Sequence, residues 1–170
     1  EGAHPGLRGY LSGIGGFNNS QAAFSGGLEY GVGNWMFWGN GTGQRTGDYT
    51  AGGDFGKVGN SFTRNAAGSG GGGYFGTNAF LNATYSYYQN RYGIPLDFFE
   101  EDPELRTLRA HRNNFKVNAG FTKNEWAVSG LKFTFDYSTY QHQELVGGAV
   151  GTTFNNKVYA YRSVFDQKQY

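Results

Sequence analysis

The residues most able to do chemistry in this chain are His142 and Glu144, with Tyr140 beside them. In an extended strand, residues two apart project to the same face, so an imidazole and a carboxylate at this spacing could share a divalent metal. Two ligands fall short of a complete site, and the first reading of His142 and Glu144 is a polar pair that binds nothing. Neither His111, set between Arg109 and Arg112, nor His4 adds a third ligand by spacing. No cysteine is present, which excludes disulfides and thiolate metal sites together.

Other candidates are weaker. The run from Asp97 to Glu104, with Glu100, Glu101 and Asp102 around Pro103, could gather a hard cation. It has no regular ligand spacing and no positioning glycine, so it reads as a solvated loop. The glycines from Gly68 to Gly73 suggest a phosphate-cradling loop, but the Lys-Ser/Thr pair and the helix that such a loop opens are both missing. The same glycines serve a strand that bends or that lets a neighbouring backbone approach. No nucleophile, base and orienting group share a defensible spacing, so the expectation is no catalytic residue, no cofactor and no enzyme.

The elements that must position these residues are strands. From Gly130 to Glu144, Leu131, Phe133, Phe135 and Tyr137 alternate with Lys132, Thr134, Asp136 and Ser138. Period two leaves a helix no stripe to bury, but it gives a strand one apolar and one polar face. The same alternation runs through Phe80 to Tyr88, and again through Phe115, Val117, Ala119 and Phe121 within Leu105 to Phe121. Composition agrees: the 170 residues include 30 Gly, 13 Tyr and 15 Phe but only 3 Pro, a balance that suits twisted strands and tight turns.

The remaining strands are expected at Leu7 to Ile14, Gln21 to Tyr30, Trp35 to Arg45, Lys57 to Arg64 and Lys157 to Phe165, with loops at Gly47 to Gly56 and Val146 to Asn156. Turns are expected at Phe17 to Ser20, Gly31 to Asn34 and Thr122 to Glu125, and Pro95 closes the strand before it. The fold class is therefore all-β: an antiparallel up-and-down meander of about eight to ten strands in one unit spanning the chain, either a transmembrane β-barrel or an open segment of one. In that setting Leu131, Phe133, Phe135 and Tyr137 face lipid, and Trp35, Phe37, Trp38 and Trp126 belong to an aromatic girdle at the headgroup level.

A net charge of +1 gives no electrostatic reason to expect nucleic acid as a partner. The longest strictly apolar run, Trp35 to Trp38, is far too short for a membrane-crossing helix, which leaves barrel strands as the route into a bilayer.

Several phrases resemble the barrel of TonB-dependent outer-membrane receptors, chiefly transporters of metal chelates. These are Asn60-Ser61-Phe62-Thr63-Arg64, the strand end Arg91-Tyr92-Gly93-Ile94-Pro95, and Tyr140-Gln141-His142-Gln143-Glu144 followed by Gly151-Thr152-Thr153-Phe154-Asn155-Asn156. They stand in the family's order, in strand-length pieces from about Gln21 to Phe165. The resemblance implies a place in the bacterial outer membrane and uptake of a scarce ligand such as a metal chelate or siderophore, driven by the TonB energy-coupling complex through a plug domain. It also places His142 and Glu144, with Tyr140, toward the extracellular mouth, where the resemblance implies ligand contact.

Two departures accompany it. The expectation from the sequence as it stands is a chain without signal peptide, plug or TonB-contacting segment before Glu1, and about nine strands cannot make the 22-stranded barrel of such transporters. The expectation is a part of the C-terminal barrel whose partners are outer-membrane lipid, the missing plug and the remaining barrel strands. Two alternatives stand beside it: a structural β protein that assembles through open sheet edges, and a small closed, pore-like barrel.

Overall fold

A computed structural model describes residues 4–95, 104–122 and 128–167. Eight strands follow one another: β1 (Gly6–Gly16), β2 (Gln21–Val32), β3 (Trp35–Thr46), β4 (Thr63–Phe75), β5 (Ala79–Gly93), β6 (Arg106–Thr122), β7 (Val128–Val146) and β8 (Ala149–Gln167). Each pairs antiparallel with the next in a single sheet ordered β1 to β8. The sheet is not closed: no register joins β1 to β8, so both are edges. The only helical element among the described residues is a short 3-10 turn, Gly53–Phe55.

The longest links, β3–β4 and β5–β6, are separated by the short β4–β5 link. Two-residue turns join β2 to β3 and β7 to β8, and glycine makes both possible: Gly33 has φ of 57°, and Gly147 and Gly148 have φ of 58° and 90°, where a side chain would be strained. The β1–β2 turn and the longer β3–β4 and β5–β6 connections lie at the same end of the sheet as the β7–β8 turn. The β3–β4 connection is tied down. Asn18 and Thr50 exchange two hydrogen bonds of 3.0 and 3.4 Å, Asp48 Oδ1 accepts from the Ser61 amide at 2.9 Å, and Val58 is buried beneath. Asn60, at φ of 57°, donates its side-chain amide to the carbonyls of Ile94 and Arg106, both at 2.7 Å, and so joins this loop to β5 and β6.

Two sequence expectations are corrected. Lys57 to Arg64 is mostly loop, and β4 runs instead through the glycine run, where every residue from Gly68 to Gly73 is paired on both sides. The stretch Val146 to Asn156 is not a loop: β8 begins at Ala149, and the two turn glycines suffice to reverse the chain. Gly151 is left over between the Glu144–Thr152 and Leu145–Val150 pairs, a bulge that hid the alternation. The run Asp97 to Asp102, the turn after Thr122 and Trp126 lie outside the described residues.

Among the described residues the sheet has no second layer, and so no core. Among the described residues the buried apolar ones are Val58, Ala110 and Leu145. The accessible surface is 11779 Å², against roughly 8,200 Å² for a globular chain of this mass. Large rings and aliphatic side chains contribute to it. Leu11 is 80% exposed, Tyr161 82% and Phe165 64%.

Candidate functional site

Paired residues of an antiparallel ladder share a face, so the registers sort every strand residue onto one of two surfaces. On the first, one row reads Val32, Trp35, Tyr74, Leu81, Ala119, Phe133 and Ser163 across β2 to β8. The next reads Leu7, Tyr30, Phe37, Gly72, Ala83, Val117, Phe135 and Tyr161 from β1 to β8, and the one above it Gly9, Leu28, Gly39, Gly70, Tyr85, Phe115, Tyr137 and Tyr159. Along β5 the apolar stretch from Ala79 to Tyr87 covers about 26 Å at the usual rise per residue.

Rings pack against one another at several places in this band. Trp35 packs edge-on to Tyr74 at 5.5 Å between centroids, and Tyr137 stacks on Tyr159 at 4.7 Å. Toward the longer loops the same face turns polar on β6 to β8: Asn113, Thr139 and Lys157 form the next row, followed by His111, Gln141 and Asn155. The border is itself bonded, with the Tyr85 hydroxyl donating to Asn113 Oδ1 at 2.6 Å and Asn113 Nδ2 to Thr139 Oγ1 at 3.2 Å.

The second face carries a hydrogen-bonded ladder. Thr134 Oγ1 donates to Asn118 Oδ1 at 3.0 Å, and Asn118 Nδ2 donates to Asn82 Oδ1 at 3.0 Å, linking three strands through directly opposed residues. Asn114 donates to Asp136 at 2.6 Å, Asn40 to Ser69 at 2.9 Å, and His4 meets Glu29 at 3.2 Å. Period two predicts that these residues point away from the band. Only the register predicts which of them meet, since Asn82 and Asn118 stand 36 residues apart.

Leu131, Phe133, Phe135 and Tyr137 lie together on the banded face. Trp35 and Phe37 join them there, both about half exposed. Trp38 does not: it pairs with Glu29 and Gly71 on the second face, so alternation divides the Trp35 to Trp38 cluster and removes Trp38 from any girdle on the banded side. Its indole lies over Gly71, where an added Cβ would come within 2.7 Å of the ring.

The same ring-over-glycine packing recurs. Phe37 covers its partner Gly72 at 2.8 Å, Tyr10 covers Gly27 at 2.6 Å and Phe80 covers Gly120 at 2.5 Å, each distance measured to the Cβ that glycine lacks. Gly27, Gly71, Gly72 and Gly120 thus make room for a neighbouring strand's ring.

Tyr140, His142 and Glu144 share the second face toward the longer loops, as spacing predicts. Tyr140 and Phe154 flank His142 with ring centroids at 6.3 and 5.9 Å, and its cross-strand neighbours are Ala110 and Phe154. Those neighbours offer no ligating atom. No cluster of three His, Cys, Asp or Glu residues suited to a metal occurs among the described residues.

No family model and no curated protein matches the chain. The functional reading therefore rests on the two faces and on the open edges.

Proposed function

We propose that this chain is a segment of an outer-membrane β-barrel wall, of the kind that TonB-dependent transporters use to take up a scarce ligand, with the banded face on lipid and the second face on the lumen. The observation that carries this reading is the pairing of an uncovered aromatic band with a bonded polar face in a sheet that has no second layer. A soluble single-layer sheet would leave far more contiguous apolar surface in water than monomeric proteins tolerate. Hydrocarbon covers such a face without a protein partner.

The β3–β4 and β5–β6 connections support the same reading, since barrels of this class carry their longer loops at one end, and both of these lie at the same end of the sheet. The edges support the segment. β8 carries Tyr159, Tyr161 and Phe165 on one face and Val158 and Val164 on the other, and its outward backbone groups have no sheet partner among the described residues. Such a strand suits continuation by another strand of a larger barrel. In this role the chain is wall and vestibule, with Tyr140, His142 and Glu144 as ligand contacts near the mouth, and it performs no chemistry itself.

The test is solution behaviour. The purified chain is expected to be monodisperse with β-rich circular dichroism in detergent, and to lose solubility when detergent is withdrawn. A monodisperse, folded species in plain buffer overturns the proposal. Ordered polymers formed in buffer would favour assembly through the open edges instead.

A further inference from the structure

On the banded face, beyond the apolar rows and toward the longer loops, the registers align four arginines. Arg45 stands opposite Arg64, Arg64 opposite Arg91, and Arg91 opposite Arg109. They are 19, 27 and 18 positions apart in the chain, so nothing in the local sequence announces them. At the usual strand spacing the row is about 15 Å long. Like charges directly opposite on neighbouring strands are destabilising, and here three consecutive pairs carry that cost.

Nothing acidic offsets the row among the described residues. All four arginines are exposed, and the ion pairs present there lie elsewhere, at His4–Glu29, Asp48–Lys57 and Glu104–Arg106. Arg109 instead donates twice to Gln143 Oε1, at 2.7 and 3.1 Å, which holds its guanidinium extended, and Arg64 lies 5.8 Å from the Phe62 ring centre. Arg64, Arg91, Arg109 and Gln89 help line a shallow groove of about 240 Å³.

We propose that this row binds the phosphate groups of an anionic glycolipid whose acyl chains lie on the aromatic band of the same face. Guanidinium groups suit the task, because each can grip a phosphate through two parallel hydrogen bonds. Continuity selects a lipid source over a soluble one. Tyr87 lies four residues below Arg91 on β5, with Gln89 between them on the same face, and Phe24 lies one row below and one strand beside Arg45, so headgroup and chains would meet one face of the sheet. The inference rests on the reading that this face meets lipid.

The test is flotation of the full chain with phosphatidylcholine vesicles, with and without diphosphoryl lipid A, alongside R64Q/R91Q, R64K/R91K and, as a control on the other face, R162Q. The wild type should float with both vesicles but prefer those with lipid A, and R64Q/R91Q should reduce that preference by roughly tenfold or more while still floating. R64K/R91K should restore it in part, and R162Q should leave it unchanged. Flotation with equal affinity for both vesicles would overturn the phosphate site and leave the lipid-facing band standing. Inorganic pyrophosphate competing as well as the lipid would make this a site for free phosphate, contrary to the proposal. Failure to float with either vesicle would overturn both readings.

Discussion

The two halves of the banded face are built differently. On β5 to β8 the band presents side chains: Leu81, Tyr85, Phe115, Val117, Phe133, Phe135, Tyr137 and Tyr159. On β3 and β4 its middle is bare backbone, with Gly39, Gly41 and Gly43 facing Gly70, Gly68 and Ala66. Alternation and pairing are the same in both, so the difference lies in what covers the backbone. In the second half each strand covers itself with its own rings. In the first, rings at the margins, Phe37 over Gly72 on this face and Trp38 over Gly71 on the other, cover a neighbour's glycine, and the rest is left smooth.

The largest expected effect lies in the second half. Phe133→Asp places a carboxylate in the band and should lower stability in detergent or lipid by about 2 kcal/mol, near the lower end of the cost of a charge at the bilayer midplane. Thr134→Asp, one residue on and facing the other way, should be much milder, because it loses only the bond to Asn118. Urea titrations of the two variants give the comparison, and equal losses would break the two-faced assignment.

Within the first half, Gly72→Val should cost roughly 1 to 2 kcal/mol, at the lower end of the usual overpacking cost, since its Cβ would meet the Phe37 ring, which lies 2.8 Å from that position. Gly41→Val should cost far less or nothing: its nearest neighbour is the Ala67 carbonyl at 3.8 Å, and a β-branched residue suits a strand. Equal costs, read from the same titration, would mean that glycine serves the strand's bend and not the ring. The smallest effect, about 1 kcal/mol, is expected for Asn118→Ala, which breaks the Thr134–Asn118–Asn82 chain on a half-exposed face where water can replace the lost bonds.

The same contrast explains how much could be read before the structure. Where side chains alternate, as in β5, β6 and β7, period two marks strand and face directly, and Phe133 against Thr134 is legible from the sequence alone. Glycine erases that signal. β4, with its run from Gly68 to Gly73, shows no period, and its pairing appears only once Trp38 and Phe37 are seen over it. The start of β8 was masked by Gly147, Gly148 and the bulge at Gly151.

Contacts across the sheet were illegible for a further reason, because a hairpin register depends on loop length and turn geometry. His142 and Glu144 could be placed on one face by counting. That Ala110 and Phe154 flank His142, and that four distant arginines align, required knowing which residues stand opposite.

The absence of native cysteine allows the central claim to be measured directly, since any introduced thiol is unique. Single cysteines at 133, 134, 135 and 136 would be spin-labelled in lipid vesicles, and their collisions with oxygen compared with those of a water-soluble nickel chelate. Positions 133 and 135 should favour oxygen, the hydrocarbon-soluble probe, and 134 and 136 the chelate, in strict alternation. Similar accessibility at all four positions would contradict a sheet with one face on lipid and the other on water.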